Sequence, residues 1–201
     1  MINNYYLMKV ELIGTTPLVW RTFYVPSNIS LDRLHDVIQI IMGWNDVHLH
    51  SFKINDVLYT ISPEEDNEGI NEEAYRLNSL ISIGGGYIEY IYDFGDKWAH
   101  RITLENNDYI YGSSGMVVHC IDGAMACPPE DVGGLSAYKK FCHAIKNYSN
   151  KNHDQMVEWY QAISKDTKLF EPNEFDLESI NNKLLSFVWL TRDRALGWEE
   201  I

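Results

Sequence analysis

The chain has 201 residues and a formal net charge of −13 at pH 7, with 29 acidic residues against 16 lysines and arginines. This excess of acid repels phosphates and anionic lipids, and no basic patch reverses it locally, so we expect no direct binding to nucleic acid or to membranes. The apolar runs are far shorter than the ~20 residues that a membrane span requires. A chain of this length can bury roughly 70% of its unfolded surface, which predicts one domain over residues 1–201.

The cysteines indicate the compartment. Their number is odd, three, and the first residues lack the basic-then-apolar pattern of a secretory leader. These features predict reduced thiols and a cytoplasmic location.

Two strands and one helix are predicted in the first quarter of the chain. Residues 5–13 and 20–25 are rich in aromatic and β-branched side chains, and a Gly/Pro break separates them. Ser30 is a suitable N-cap, and Gly43 suits the left-handed conformation that ends a helix. The apolar residues between them follow helical spacing: Leu31, Leu34, Val37, Ile38 and Ile41.

Two hairpins are expected next, over residues 49–61 and 87–105. In the second hairpin, strand alternation places Trp98 and His100 toward the core and Arg101 toward solvent. An acidic stretch between the hairpins is most simply a solvated loop; its residues are Glu64, Glu65, Asp66, Glu68, Glu72 and Glu73.

The second half of the chain is predicted to be a long loop followed by helices. Residues 108–134 are rich in Gly and Pro and predict a loop. Helical spacing follows over residues 154–163 and 176–188, and an earlier helix places Cys142 on its core side. The predicted fold class is therefore α+β, with a mixed sheet packed on one main helix and a helical C-terminal extension over residues 135–201. The element order is compatible with a β-grasp-like sheet.

One loop carries a candidate metal site. Cys120 and Cys127 lie on a stretch that Pro128 and Pro129 stiffen, and two thiolates there could bind zinc if His100 or His119 supplied nitrogen. The spacing is not that of a zinc knuckle. The alternative is that both cysteines are reduced and pack as small apolar groups.

A second group of polar residues suggests catalytic chemistry. Asp46, His48 and His50 alternate, so an extended backbone would place all three on one face, where they could bind a divalent metal or act as an acid-base pair. Asp93 and Asp96 flank the turn of the second hairpin. Solvated histidines, and aspartates bonded to turn amides, are the alternative interpretation.

Several long motifs together resemble a known family. They are Trp20-Arg21 with Val25-Pro26, Leu31-x-x-Leu34-His35, Met42-Gly43-Trp44-x-Asp46-x-His48-Leu49-His50-x-Phe52, Tyr90-x-Tyr92-Asp93-Phe94-Gly95-Asp96-x-Trp98-x-His100, Cys120-x-x-Gly123-x-x-Ala126-Cys127-Pro128-Pro129-Glu130-Asp131-x-Gly133-Gly134, and Glu174-Phe175-Asp176 with Ile180-Asn181. Over about residues 5–185 the chain resembles the plasmid pRiA4b ORF-3-like family. The resemblance implies a compact α+β domain and an association with plasmids or mobile elements, but no agreed activity. Many members have a third cysteine where this chain has Val132, which weakens the case for an all-cysteine metal site.

Three functional hypotheses follow. The first is a non-enzymatic binding or regulatory module with a protein partner, because the motifs are dominated by residues that form turns and cores. The second is a metal-dependent, hydrolase-like enzyme acting on a phosphate or amide, with His48, His50, His100 and nearby carboxylates such as Asp93 and Asp96 at its site. The third is an acidic mimic of nucleic acid.

Overall fold

The computed structural model describes residues 4–61, 63, 69–110, 117–164 and 168–190. Its strands are β1 (Tyr5–Leu12), β2 (Val19–Pro26), β3 (His50–Ile54), β4 (Val57–Thr60), β5 (Ile70–Asn71), β6 (Tyr87–Tyr92), β7 (Trp98–Tyr109) and β8 (His119–Ala124). Its helices are α1 (Leu31–Met42), α2 (Leu77–Leu80), α3 (Gly134–Lys146), α4 (His153–Ser164) and α5 (Leu177–Leu190).

These strands form one sheet in the order β5-β4-β3-β6-β7-β1-β2-β8. Neighbouring strands are antiparallel except for β4 and β5, which are parallel, so the sheet is mixed. The α+β class is confirmed. Within the described ranges, no helix combines the length and the apolar character needed to cross a membrane.

Helix α1 contributes its apolar face to the main hydrophobic core, which it shares with the sheet. As predicted, the helix ends at Gly43, whose positive φ of 90° lets its N–H bond to the carbonyl of Gln39. Ser30 precedes the helix in an extended conformation, but its side chain makes no capping hydrogen bond.

Both predicted hairpins are confirmed. Strands β3 and β4 turn at Asn55 and Asp56, which have positive φ angles. In β7, Trp98 and His100 are buried and Arg101 is exposed, as strand alternation predicts. These positions place His100 in the core beneath the second hairpin.

The prediction of a continuous loop over residues 108–134 is wrong, because β7 extends to Tyr109 and β8 lies inside that range. The sequence of β8 includes Asp122 and Gly123, which have low strand propensity. Two contacts hold it in place. One edge of β8 pairs with β2 through backbone hydrogen bonds. At Cys120, the side chain of Asn181 from α5 accepts a hydrogen bond from the backbone N–H and donates one to the carbonyl, at 2.9 Å each.

Arg21 of β2 is almost fully buried, and its side chain contacts β2 itself, the end of α1, the end of β8 and the segment before α5. Its guanidinium donates hydrogen bonds to four backbone carbonyls, those of Trp20, Ile41, Ala124 and Met125, at 2.7–2.9 Å. It also lies over the ring of Phe175, 4.6 Å from the ring centroid. The cation therefore links the end of α1, strand β8 and the segment before α5.

The C-terminal helices belong to the same core. Leu184 of α5 is fully buried, and Cys142 of α3 is half-buried against the core as predicted. The extension predicted for residues 135–201 contains α3, α4 and α5, while residues 165–167 and 191–201 lie outside the described residues.

Candidate functional site

A cavity of about 420 Å³ lies where the loop before β3 meets α1. Histidines and carboxylates dominate its lining: His35, His48, His50, Asp32, Asp36, Asp46, Glu72 and Glu73. A larger depression of about 680 Å³ follows α5, but the described residues that line it include neither histidine nor cysteine. The smaller cavity is therefore the better candidate for chemistry.

Two buried histidines stack at this cavity. His35 comes from α1 and His50 opens β3, and their rings lie parallel with centroids 3.5 Å apart. Burial, together with the smaller effect of the neighbouring His50, lowers the pKa of His35 to about 4, although Asp46 opposes the shift. His35 is therefore neutral at pH 7 and keeps a lone pair on one ring nitrogen.

Hydrogen bonds fix His35 and Asp46 relative to each other. The Nδ1 of His35 lies 2.8 Å from the Tyr90 hydroxyl, and its Nε2 lies 2.9 Å from Asp46 Oδ1. Gln39, one turn along α1, donates to the Tyr90 hydroxyl and accepts from the Asp46 N–H. The ring and the carboxylate are thus held by the same helix.

Glu72 fixes the ring of His50 by a hydrogen bond, as Tyr90 and Asp46 fix the ring of His35. Its carboxylate oxygens lie 2.9 and 3.0 Å from His50 Nε2, and both side chains are almost fully buried. The prediction that Glu72 belongs to a solvated loop is wrong, because the carboxylate finds a buried hydrogen-bond donor. Of the other residues in that acidic stretch, Glu73 is exposed, and residues 64–68 lie outside the described residues.

The side chains around the stacked rings could hold a metal ion if the two rings tilted out of their parallel stack, because an ion lies in the plane of each imidazole that binds it. A nitrogen from each histidine and an oxygen of Asp46 all lie within 4.8 Å of one another. The Asp46 side chain is 56% exposed, whereas the side chains of His35 and His50 are almost fully buried, so the group is open to solvent on the side of Asp46. Neutral imidazole together with carboxylate is a ligand set suited to zinc and similar divalent ions.

His48 lines the same cavity but does not join His50 and Asp46 in one group of potential metal ligands, because the extended backbone on which that prediction depends is absent. Strand β3 begins only at His50, and Asp46 has a positive φ of 53°. The backbone from Asp46 to His50 is therefore not one extended strand. His48 instead lies 3.0 Å from Asp131 and 3.7 Å from Asp93. These three residues form a second group with ligand atoms within 4.8 Å of one another.

The two predicted turn aspartates have different contacts. Asp93 Oδ1 accepts from the N–H groups of Gly95 and Asp96, as predicted for a turn. Asp96 Oδ2 accepts from the N–H of Gly133 at 2.9 Å. Asp96 belongs to neither group, so it is a contact between two loops and not a member of the cavity.

The residues predicted to bind zinc are not brought together. Among the described residues, neither group of potential metal ligands includes Cys120, Cys127 or His100. His100 packs against Trp44 and Tyr90, whereas both thiols lie beside the buried Arg21 guanidinium, whose positive charge disfavours a second cation there. Burial raises the pKa of each thiol to about 12, so both are protonated at pH 7.

Sequence reasoning did not select His35 or Glu72 as site residues. A signal for His35 was available, because it follows Leu31 by four positions and so shares the buried face of α1. Glu72 had no comparable signal, since its burial depends on a histidine 22 positions earlier in the chain.

The fold and the cavity define the class: an α+β protein whose sheet and main helix together present a histidine-carboxylate site. The model of the plasmid pRiA4b ORF-3-like protein family matches residues 4–179, and the chain belongs to that family.

Two relatives extend the comparison. The chain is 36% identical over 170 residues to the uncharacterized protein y4hQ of Sinorhizobium fredii, a match that covers 83% of this chain and 86% of the relative. It is also similar to a crystal structure of MM3350, a protein of unknown function from Methanosarcina mazei Go1. The TM-score is 0.77 at 27% identity, over 89% of this chain and 98% of the other.

Proposed function

We propose that the protein binds one divalent transition-metal ion through His35, Asp46 and His50, and that this ion supports hydrolysis of an uncharged substrate in the cavity. The observation that carries the proposal is the convergence of these three ligand atoms within 4.8 Å at a solvent-accessible cavity.

The surroundings of the ligands support metal binding. Histidine ligands in metal sites usually hydrogen-bond a carboxylate or another polar group through their second nitrogen, which fixes the ring and its tautomer. Glu72 is such a partner for His50, and the Tyr90 hydroxyl is such a partner for His35. Glu72 and Tyr90 are therefore positioning residues.

The chemistry follows from the charge of the ion. When bound by His35, Asp46 and His50, a divalent ion would lower the pKa of a water molecule toward neutral and would polarise a substrate carbonyl. Three of the four ligand positions of a tetrahedral ion would be taken by protein, which leaves one for water or substrate.

The charge of the cavity favours an uncharged substrate over a phosphate. The described lining includes five carboxylates, those of Asp32, Asp36, Asp46, Glu72 and Glu73, and neither lysine nor arginine. An anionic phosphate would be repelled by this lining, whereas an amide or ester carbonyl would not. Of the two substrate types considered from sequence, the amide is thus the better match.

The remaining hypotheses stay predictions. The binding module with a protein partner is supported by its motifs, and the acidic mimic of nucleic acid is supported by the net charge of −13. We also propose a cytoplasmic location, which the three free cysteines support. The association with plasmids or mobile elements is carried by family membership alone.

Zinc binding by matched variants tests the proposal. Asp46→Asn removes the ligand charge while keeping a residue that tolerates positive φ, so the fold should survive. Equilibrium dialysis against Zn²⁺ should show one equivalent fewer bound zinc for Asp46→Asn than for the wild type. Glu73→Gln, which removes one charge from the same lining without touching the ligands, should bind as the wild type does.

Activity is the second part of the test. Zinc-loaded protein should hydrolyse some member of a panel of chromogenic esters and amides, Asp46→Asn should reduce that rate at least about 100-fold, and phosphate esters should react more slowly. Equal zinc binding by the wild type and Asp46→Asn would refute the metal site. A hydrolysis rate that Asp46→Asn leaves unchanged would refute its catalytic use.

A further inference from the structure

We infer that His48, Asp93 and Asp131 form a second divalent-cation site, separate from the one at His35, Asp46 and His50. One nitrogen and two carboxylate oxygens from these residues lie within 4.8 Å of one another. Mixed imidazole and carboxylate ligands of this kind suit divalent ions of the zinc and manganese type.

The Asp93 carboxylate is oriented before any ligand binds. Its Oδ1 accepts from two backbone N–H groups of the β6–β7 turn, at 2.8 and 3.2 Å, so its Oδ2 is left toward His48 Nε2 at 3.7 Å. The residue is only 7% exposed. A buried carboxylate with one oxygen fixed by amides and the other near an imidazole is positioned as a metal ligand would be.

The three ligand residues come from three separate loops, and other hydrogen bonds join these loops. The N–H of Asp93 donates to the carbonyl of Leu49 at 2.9 Å, which ties the hairpin turn to the loop that carries His48. The N–H of Asn45 donates to Glu130, at 2.9 Å, which ties the His48 loop to the Asp131 loop.

Two more contacts complete this frame. Trp44 Nε1 donates to the carbonyl of Pro128 at 3.0 Å, and the N–H of Gly133 donates to Asp96 at 2.9 Å. None of the four contacts uses a ligand atom. The loops that carry His48, Asp93 and Asp131 are thus held together by contacts other than those among the three side chains themselves.

The charge of the group favours a cation. Two carboxylates, those of Asp93 and Asp131, lie beside the single imidazole of His48 among the described ion pairs. A divalent ion would neutralise both. The Asp131 side chain is 68% exposed, which leaves room for water in the remaining coordination positions.

The experiment counts zinc ions in wild-type protein, Asp46→Asn, Asp131→Asn and the double variant by equilibrium dialysis. Asp46 and Asp131 both have positive φ and exposed side chains, so asparagine suits both positions and the two variants are matched. We expect two equivalents for the wild type, one for each single variant and none for the double variant. Circular dichroism of each variant checks that the fold is intact.

The two proposals fail separately. A wild type with one equivalent that Asp46→Asn loses and Asp131→Asn keeps would overturn the second site and leave the first. One equivalent lost only in Asp131→Asn would overturn the first site and support the second. No bound zinc in the wild type would overturn both.

Discussion

Replacing Arg21 with methionine removes a buried cation whose place is set by four carbonyl groups. Methionine matches the length of the arginine stem and adapts to irregular apolar space, so the substitution deletes mainly the guanidinium. Four carbonyl oxygens, from β2, the end of α1 and the segment that begins in β8, then lose a donor.

The expected loss follows from the burial of these groups. A buried acceptor left without its partner costs about 1–3 kcal/mol, but removal of the guanidinium also ends the cost of keeping a charge out of water. The burial that lowers the pKa of Arg21 reflects that cost. Four unpaired acceptors would together cost about 4–12 kcal/mol, and the recovered desolvation cost lowers this sum, so we expect a net loss of about 3–5 kcal/mol in the free energy of unfolding.

Urea denaturation followed by tryptophan fluorescence measures this loss. With a denaturant slope of about 2–3 kcal/mol per molar urea, the midpoint should fall by about 1–2.5 M. Arg101→Met is the matched control, because Arg101 also lies over an aromatic ring, Tyr87 at 4.5 Å, but is exposed. Its midpoint should shift by less than about 0.4 M. Equal midpoints for the two variants would refute the role given to Arg21.

Three further predictions concern stability. Leu184→Ala should lower the free energy of unfolding by about 2–5 kcal/mol in a urea titration, because Leu184 is fully buried. Leu185→Ala, on the exposed side of α5, should lower it by less than about 1 kcal/mol. Similar losses for the two variants would contradict the packing of α5. Glu72→Ala should lower the free energy of unfolding by about 1–3 kcal/mol, because it leaves the buried Nε2 of His50 without an acceptor. Glu73→Ala should leave it almost unchanged, since Glu73 is exposed. A larger loss for Glu73→Ala than for Glu72→Ala would contradict the buried contact between His50 and Glu72. Burial lowers the pKa of His100 from 6.5 to about 4, so between these values the unfolded state takes up a proton that the folded state refuses. Stability should therefore fall by up to about 3 kcal/mol as pH drops from 6.5 to 4, and less in His100→Gln; identical pH profiles would show that His100 contributes nothing.

Local sequence patterns predict the parts of the fold that local interactions determine. Helix α1 has its apolar spacing and its left-handed glycine within its own segment, and each hairpin has its alternating strands and its turn residues within its own segment. The local sequence therefore predicts all three elements. Strand β8 could not, because it contains Asp122 and Gly123 and is held by β2 and by the side chain of Asn181, 61 positions after Cys120. Its existence depends on tertiary contacts that no local pattern records.

The candidate site divides in the same way. His48 and His50 are two positions apart, and this spacing predicts that they lie on the same face of an extended segment. The folded chain gives the two histidines different partners, because the backbone is not extended at Asp46 and the partners come from distant segments. His50 contacts His35 and Glu72, whereas His48 contacts Asp93 and Asp131. The cysteines show the opposite error: the sequence groups them with a histidine, whereas the folded chain places both thiols near the Arg21 cation, and Cys120 Sγ donates to the carbonyls of Thr22 and Asp122.

The most direct test of the metal proposal is the anomalous scattering of a crystal of the full chain grown with zinc, measured on both sides of the zinc absorption edge. The account predicts an anomalous peak within bonding distance, about 2.0–2.2 Å, of a nitrogen of His35, a nitrogen of His50 and an oxygen of Asp46. A zinc peak beside Cys120 and Cys127, or density that leaves the His35 and His50 rings stacked without an ion between their nitrogens and Asp46, would contradict it.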